Sequence, residues 1–309
     1  MGVRDGRTGH GGARRRPGRQ RRRPGLVVTL VATLLLVGSG IGVAFALASA
    51  SPPSRAHRTV APSTTSPEVF ATTTTAPPTP PTPSVYANGP RDRPAVALTF
   101  DSNLTDAMIG ELNSGKVASF ANVAVIDELD RLQVPATIFL AGKWMERYPD
   151  LTRRLAADPL FELGSHSYAH RAYHQPCYGL GTLAPPEMAA DVAHSEVLLR
   201  QFTTRPSRYF RFPGGCYDNT ALHAIAPTGV TVIQYDLASG DAFGTSVRAI
   251  VNNVLANTHN GSIIVMHITG GNTAPLTAYA VPDVVFGLRQ RGFELLKISD
   301  LLAPLNGSG

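Results

Sequence analysis

The chain has 309 residues, 43% of them hydrophobic, which is enough to bury a sizeable core. Its formal charge of +6 suggests a nucleic-acid partner, but nine of the 28 basic residues lie in the first 25 positions. After position 60 there are 17 basic and 21 acidic residues, which gives a net charge of −4. A basic groove for nucleic acid is therefore excluded, because the positive charge belongs to a tail.

The N-terminal 50 residues have the pattern of a membrane anchor. Residues 1–25 are rich in Arg, Gly and Pro and are predicted to be a disordered cytoplasmic tail. Residues 26–50 carry no charge and would reach about 37 Å as a helix, enough to cross a bilayer. The alternative is a signal peptide cleaved after Ala50. Either interpretation places the rest of the chain outside the membrane.

A linker and one globular domain follow. Ser51 to Ser84 contains nine Pro, nine Thr and five Ser, so residues 51–90 are predicted to form an extended linker. From residue 91 to residue 305 the composition is globular, and strand-like runs alternate with helical patterns. This alternation predicts an α/β fold with about seven parallel strands, in a barrel or a doubly wound sheet.

The predicted elements of the domain can be given in chain order. The strands are Ala95–Phe100, Ala136–Leu140, Leu160–Gly164, Tyr209–Phe212, Val230–Tyr235, Ser262–Met266 and Phe293–Lys297. The helices are Phe120–Leu132, Glu187–Phe202, Val247–Ala256 and Val281–Arg291.

Two histidines follow the third predicted strand. His166 and His170 are spaced i and i+4, which on a helical turn would place both rings on one face, as two ligands of one divalent ion. Zinc is the default metal for two imidazoles.

Polar side chains also follow the other predicted strands. Because the carboxyl ends of parallel strands share one edge, these side chains are predicted to face one pocket with the histidines. They are Asp101, Arg211, Asp236 with Asp241 five residues later, and His267.

These residues stand in motifs that resemble those of a known family. The segments are LTFD at 98–101, HSYAH at 166–170, RFPGG at 211–215, the Asp-containing turn at 236–241 and IIVMH at 263–267. Their order resembles the signatures of the polysaccharide deacetylases, carbohydrate esterase family four or the NodB homology fold. The resemblance covers about Pro94 to Leu301.

The resemblance implies a distorted (β/α) barrel and metal-assisted hydrolysis of an acetyl group, usually N-acetyl, on a glycan. It implies that His166 and His170 hold the metal. The other implied roles are a general base at Asp101, an orienting ion pair from Arg211, an oxyanion contact from the Gly214 backbone, a general acid at His267 tuned by Asp241, and a methyl pocket at Ile264.

Two positions depart from the family pattern. Ser102 stands where the family has a second Asp, the third metal ligand, and a hydroxyl is a weaker ligand than a carboxylate. Asp101, Asp106 or water are the candidate replacements, whereas His174 would lie about 12 Å along a continued helix. Ala242 stands where the family often has Trp, which predicts a less enclosed site.

The only two cysteines lie close to these motifs. Cys177 and Cys216 are predicted to form a disulfide, because an even pair outside the membrane is usually oxidised. Two buried free thiols are the alternative.

The sequence thus predicts a membrane-anchored, metal-dependent deacetylase whose partner is an acetylated glycan of the cell envelope. The loss of the carboxylate at position 102 leaves two alternatives open. One is a glycan-binding or scaffolding module with little turnover, and the other is a metal-independent hydrolase of a related C–N bond.

Overall fold

The computed structural model of the protein describes residues 80–304, and every pair of its named strands is parallel. The strands are β1 Val85–Tyr86, β2 Ala95–Ser102, β3 Ala136–Leu140, β4 Phe161–Ser165, β5 Tyr209–Phe210, β6 Thr231–Ile233, β7 Leu237–Ala238, β8 Ile263–His267 and β9 Glu294–Leu295. The helices are α1 Asp106–Asn113, α2 Val123–Leu132, α3 Gly142–Arg147, α4 Pro149–Ala157, α5 Pro185–Leu199, α6 Asn219–Ile225, α7 Val247–Asn257, α8 Thr277–Gln290 and α9 Ile298–Leu302.

The strands form one sheet with the order β1-β6-β5-β4-β3-β2-β8-β7, and β9 pairs with the start of β2. The sheet curls into a half-barrel. This arrangement confirms the predicted α/β fold with parallel strands, and it is consistent with a distorted barrel. All the strands run the same way, so their carboxyl ends meet at one rim.

All seven predicted strands overlap strands of the sheet, but two strands were missed. β1 and β7 are two residues long, too short for an alternation pattern to be visible in the sequence. β1 also corrects the predicted linker boundary. Val85 and Tyr86 pair with Val232 and Ile233 of β6, so the sheet begins inside the segment assigned to the linker.

Alternation along β2 divides the core. Val96, Leu98 and Phe100 pack in the large cluster that also contains buried residues of α2, α7 and α8. Ala95 and Ala97 belong to a smaller cluster with Phe139 and Ile233. Since successive side chains point to opposite faces of a strand, Asp101 continues the inner row that begins with Ala95.

Residues 80–304 contain no helix that is long and apolar enough to span a membrane. The predicted tail, the predicted anchor at 26–50 and most of the predicted linker lie outside the described residues.

Candidate active site

An open cavity of about 200 Å³ lies at the carboxyl ends of the strands. Its wall contains most of the predicted site residues, namely Asp101, His166, His170, Gly214, Asp241 and His267. Arg211 is fully buried behind Asp101. Five separate segments of the chain therefore converge on one cavity, at the edge that the strand ends share.

Asp101 is held by the buried guanidinium of Arg211. Nη1 of Arg211 donates to Oδ1 of Asp101 at 2.8 Å and to the hydroxyl of Thr99 at 2.8 Å. Its Nε and Nη2 donate to the carbonyls of Ile233 and Gln234. This network fixes the carboxylate and compensates the buried positive charge, which would otherwise be costly. The other carboxylate oxygen, Oδ2, is left facing His166 at 3.5 Å.

His267 is paired with Asp101 in register on the adjacent strand, so both side chains leave the same face of the sheet. Its Nδ1 donates to Oδ1 of Asp241 at 2.8 Å. Asp241 also accepts from the His267 backbone N–H and from the hydroxyls of Thr277 and Ser239. This bond directs the Nε2 edge of the ring away from Asp241 and leaves it free to act in the cavity.

The Asp241 carboxylate sets the charge state of His267. Burial alone would lower the pKa of His267, but the charge and hydrogen bond of Asp241 outweigh it and raise that pKa above its ordinary value. Burial alone would raise the pKa of Asp241. The charge and hydrogen bond of His267, with the hydrogen bonds from Thr277 and Ser239, outweigh burial and hold that pKa below the usual range. The raised pKa favours the protonated form of His267, which can donate a proton.

His166 and His170 lie together, but not on a helical turn as predicted. The segment after β4 is irregular, and Ser167 and His170 have positive φ values of 66° and 51°. The ring centroids are nevertheless 4.9 Å apart. His166 Nδ1 donates to the Arg211 carbonyl at 2.9 Å, which requires the proton on Nδ1 and leaves the Nε2 lone pair free.

The predicted replacements for the third ligand can be placed in the structure. Ser102 is outside the cavity wall, and its hydroxyl accepts the backbone N–H of Ala141. Asp106 begins α1, is 60% exposed and pairs with Lys143 and Arg171, so this candidate is wrong. His174 pairs with Asp218, away from the cavity. Within residues 80–304 no three His, Cys, Asp or Glu side chains form a metal-binding group.

Asn103, one residue further on, was missed as a ligand candidate. Its amide oxygen Oδ1 is buried without a hydrogen-bond partner, and the same is true of Nδ1 of His170. Both residues line the cavity with His166. Two imidazoles and one amide oxygen are a donor set that a divalent cation accepts, and the unpartnered buried atoms fit such an ion. The signal was present in the sequence, as a polar residue at the end of β2.

Two further predictions about the site are wrong. Asp236 does not face the cavity, because its carboxylate accepts the Ile263 backbone N–H and the Ser262 hydroxyl and pairs with Arg91. Ile264 is packed in the large core cluster. Val265 lines the cavity in its place, since side chains alternate along β8 and Val265 shares the face of His267.

Gly214 belongs to the RFPGG loop and lines the cavity. Its φ is 62°, a left-handed conformation that glycine adopts without a steric penalty. A Cβ on this residue would come within 2.8 Å of the Cys177 sulfur. Cys177 and Cys216 form a disulfide, which joins the loop after the histidines to the loop that contains Gly214.

We expect removal of this disulfide to lower the stability of the domain. The bond closes a loop across a sequence separation of 39 residues, worth about 4 kcal/mol in the chain-entropy model. The double variant Cys177→Ser, Cys216→Ser, compared with the wild type in urea unfolding, tests this value. A loss below about 1 kcal/mol would contradict it, and alkylation of unreduced protein should find no reactive thiol.

Two aromatic side chains at the mouth of the cavity were also missed. Tyr178 and Phe243 are 70% and 73% exposed, and their ring centroids are 5.4 Å apart. Both line the cavity, so the side left open by Ala242 is partly walled by Phe243. No pattern within either loop indicates this contact, because 65 residues separate the two positions.

The arrangement defines a class of chemistry. A carboxylate that can accept a proton and an imidazole that can donate one lie on adjacent strands at the rim of a parallel sheet. Each is oriented by its own buried partner, and two neutral histidines are beside them. Burial lowers the pKa of His166 and holds that of His170 well below its ordinary value. The arrangement has the two groups that hydrolysis by a general acid and a general base requires.

Comparison with known proteins finds similarity to polysaccharide deacetylases. The model of the polysaccharide deacetylase family matches residues 88–233. A peptidoglycan-N-acetylglucosamine deacetylase of Bacillus cereus is 25% identical over 214 residues, which are 69% of this chain and 70% of that protein. A chitooligosaccharide deacetylase of a Bradyrhizobium species is 26% identical over 198 residues, 59% of this chain and 84% of that protein.

Solved structures share the fold. A crystal structure of a peptidoglycan N-acetylglucosamine deacetylase superposes with a TM-score of 0.59 at 23% identity, covering 71% of this chain and 92% of that one. A pseudoenzyme of the CE4 family from Bacillus anthracis gives a TM-score of 0.57 at 19% identity, with coverage of 72% and 69%. Residues 88–233 thus match a polysaccharide deacetylase domain, and the similarities in sequence and structure support a hydrolase of the deacetylase class.

Proposed function

We propose that the domain removes N-acetyl groups from an extracellular or cell-envelope glycan such as peptidoglycan or chitin-like oligomers. The observation that carries the proposal is the pairing of Asp101 and His267 across adjacent strands, each held by a separate buried partner. The named deacetylases among its relatives support the substrate class.

The residues of the site suffice for the proton transfers of amide hydrolysis. Asp101 would take a proton from water as the water oxygen bonds to the acetyl carbon, and Arg211 would keep the carboxylate oriented. The Gly214 backbone N–H would stabilise the oxyanion. His267 would give its Nε2 proton to the nitrogen as the C–N bond breaks, so that acetate and a free amine leave.

A divalent metal ion, with zinc as the default, would be held by His166, His170 and Asn103. Bound there, it would supply a Lewis acid that polarises the acetyl carbonyl and acidifies water. The uncharged amide oxygen of Asn103 replaces a carboxylate in this donor set. Metal affinity should therefore be lower than that of a site with one carboxylate and two histidines.

The assignment of Asn103 predicts how zinc affinity responds to substitution. Asn103→Asp should tighten zinc binding by about tenfold or more, and Asn103→Ala should weaken it by a similar factor. Isothermal titration of zinc into metal-free protein measures both changes without an activity assay. Ser102→Ala is the matched control, because the Ser102 hydroxyl accepts the Ala141 N–H outside the cavity. Weaker zinc binding by Ser102→Ala but not by Asn103→Ala would reverse the assignment.

Release of acetate from N-acetylglucosamine oligomers and from peptidoglycan, with zinc added, tests the function directly. Turnover by the wild type is the expected result.

The second candidate is a glycan-binding module without turnover. One observation favours it: within residues 80–304 no three His, Cys, Asp or Glu side chains lie together in a group that could hold a metal ion. Glycan binding without acetate release at any zinc concentration would establish it.

The location of the domain is part of the proposal. The uncharged segment at 26–50 and the arginines before it support a membrane anchor with the domain outside the cell. Fractionation of cells that express the full chain, followed by protease treatment of intact cells, distinguishes an anchored domain from one released after Ala50.

A further inference from the structure

Tyr178 and Phe243 are two exposed rings that have no role in the hydrolysis. We propose that they form a stacking platform for a pyranose ring of the glycan, next to the sugar whose acetyl group enters the cavity. This inference rests on the proposed function, because it takes the substrate to be an oligomer that extends from the cavity.

The position of the two rings supports this role. They meet at an interplanar angle of 34°, and both border the cavity that holds Asp101 and His267. Tyr178 also lies directly beside the predicted oxyanion residue, since a Cβ on Gly214 would come within 3.1 Å of its ring. A sugar stacked on the pair would therefore be next to the reacting group. Aromatic faces bind the C–H faces of sugars by the dispersion contacts that operate between apolar groups.

The backbone under Tyr178 is fixed before any ligand binds. Cys177 is tied to Cys216, its N–H donates to the Gln175 side chain, and its carbonyl accepts the Leu180 N–H. Tyr178 itself has a φ of 46°, a conformation that favours glycine and is uncommon for a bulky side chain. An exposed tyrosine kept at such a position indicates a use for its ring, and a fixed platform loses little entropy on binding.

The charge of the cavity favours a neutral glycan as the occupant. Among the described residues no lysine or arginine lines the cavity wall, so an acidic polymer would find no ammonium or guanidinium partner there. Asp101, His267, Tyr235 and Thr273 are among the polar groups of the wall. A neutral ring with hydroxyl groups satisfies these contacts, whereas a purely apolar peptide or lipid chain would leave them unpaired.

The test compares platform variants with matched aromatic residues elsewhere. Tyr178→Gly removes the ring and relaxes the backbone, so that folding is not impaired, and Phe243→Ala removes the second ring. Tyr279→Ala and Phe286→Ala are controls, because these rings are 70% and 62% exposed on α8 outside the cavity. KM for N-acetylglucosamine tetramer should rise about tenfold in each platform variant, with kcat little changed and with the controls at the wild-type value.

Binding without turnover separates this inference from the proposed function. The tetramer is titrated into Asp101→Asn protein with and without Tyr178→Gly. Binding about tenfold weaker with Tyr178→Gly supports the platform even if the wild type releases no acetate. Acetate release with the same KM in wild type and both platform variants overturns the platform and leaves the function standing. Equal tetramer binding by the two Asp101→Asn proteins also overturns it.

Discussion

Asp101→Asn protein should release acetate about a thousandfold more slowly than the wild type, because it has lost the group that accepts the proton of water. An asparagine retains the size of the side chain and one oxygen for Arg211, but it has no carboxylate. Its kcat should fall while KM for the oligomer stays within a few fold. Steady-state kinetics with added zinc, normalised to the zinc content of each protein, measure this loss.

Asp236→Asn is the matched control for this prediction. Asp236 also follows a strand-like run, but it bonds the start of β8 and Arg91 outside the cavity. We expect the kcat of Asp236→Asn protein to equal that of the wild type, even if its thermal stability changes. If the two substitutions slowed turnover equally, the effect at Asp101 would be structural and its assignment as the base would be wrong.

His267→Gln should lower kcat by about a hundredfold or more, since the amine nitrogen must then leave without a proton donor. The exposed His259, outside the cavity, supplies the control His259→Gln. An unchanged rate for His267→Gln would contradict the role of His267 as the general acid.

The pH profile of Asp241→Asn tests the same acid through its partner. The charge and hydrogen bond of Asp241 raise the pKa of His267, and activity requires the protonated imidazole. Activity is therefore present below the pKa of His267 and is lost as the pH rises through it. Without the carboxylate that pKa falls, so the alkaline limb of kcat/KM should move to lower pH. A limb that stays in place would show that another group controls it.

The parts of the molecule that were predictable from sequence are those with a local pattern. β2, β3 and β8 are largely apolar runs of five to eight residues, and their existence could be predicted from the sequence. The two-residue strands could not be predicted from the sequence, because their pairing with neighbouring strands, and not a local pattern, makes them strands. Ile264 was implied by the family resemblance, whereas alternation along β8 assigns the cavity face to Val265.

The site contained features that no local pattern encodes. The proximity of His166 and His170 was predicted for a helix, but an irregular loop with two positive φ values produces it. The buried, unpartnered oxygen of Asn103 and the contact between Tyr178 and Phe243 depend on how distant loops meet. Such contacts follow from tertiary structure alone.

The fold by itself does not determine whether this site is catalytically active. The solved structures that share it include a deacetylase and a protein described as a pseudoenzyme. The side chains at the rim are therefore the features to test, and here Asp101, His267 and their buried partners lie together, with the amide of Asn103 as the proposed third ligand.

Acetate release from N-acetylglucosamine tetramer across a zinc titration, with wild type and Asp101→Asn measured in parallel, is the most direct test. The site described here predicts zinc-dependent turnover by the wild type, half-saturated at a higher zinc concentration than in Asn103→Asp, and a near-complete loss in Asp101→Asn. No acetate from the wild type at any zinc concentration, or equal rates from the two proteins, would contradict it.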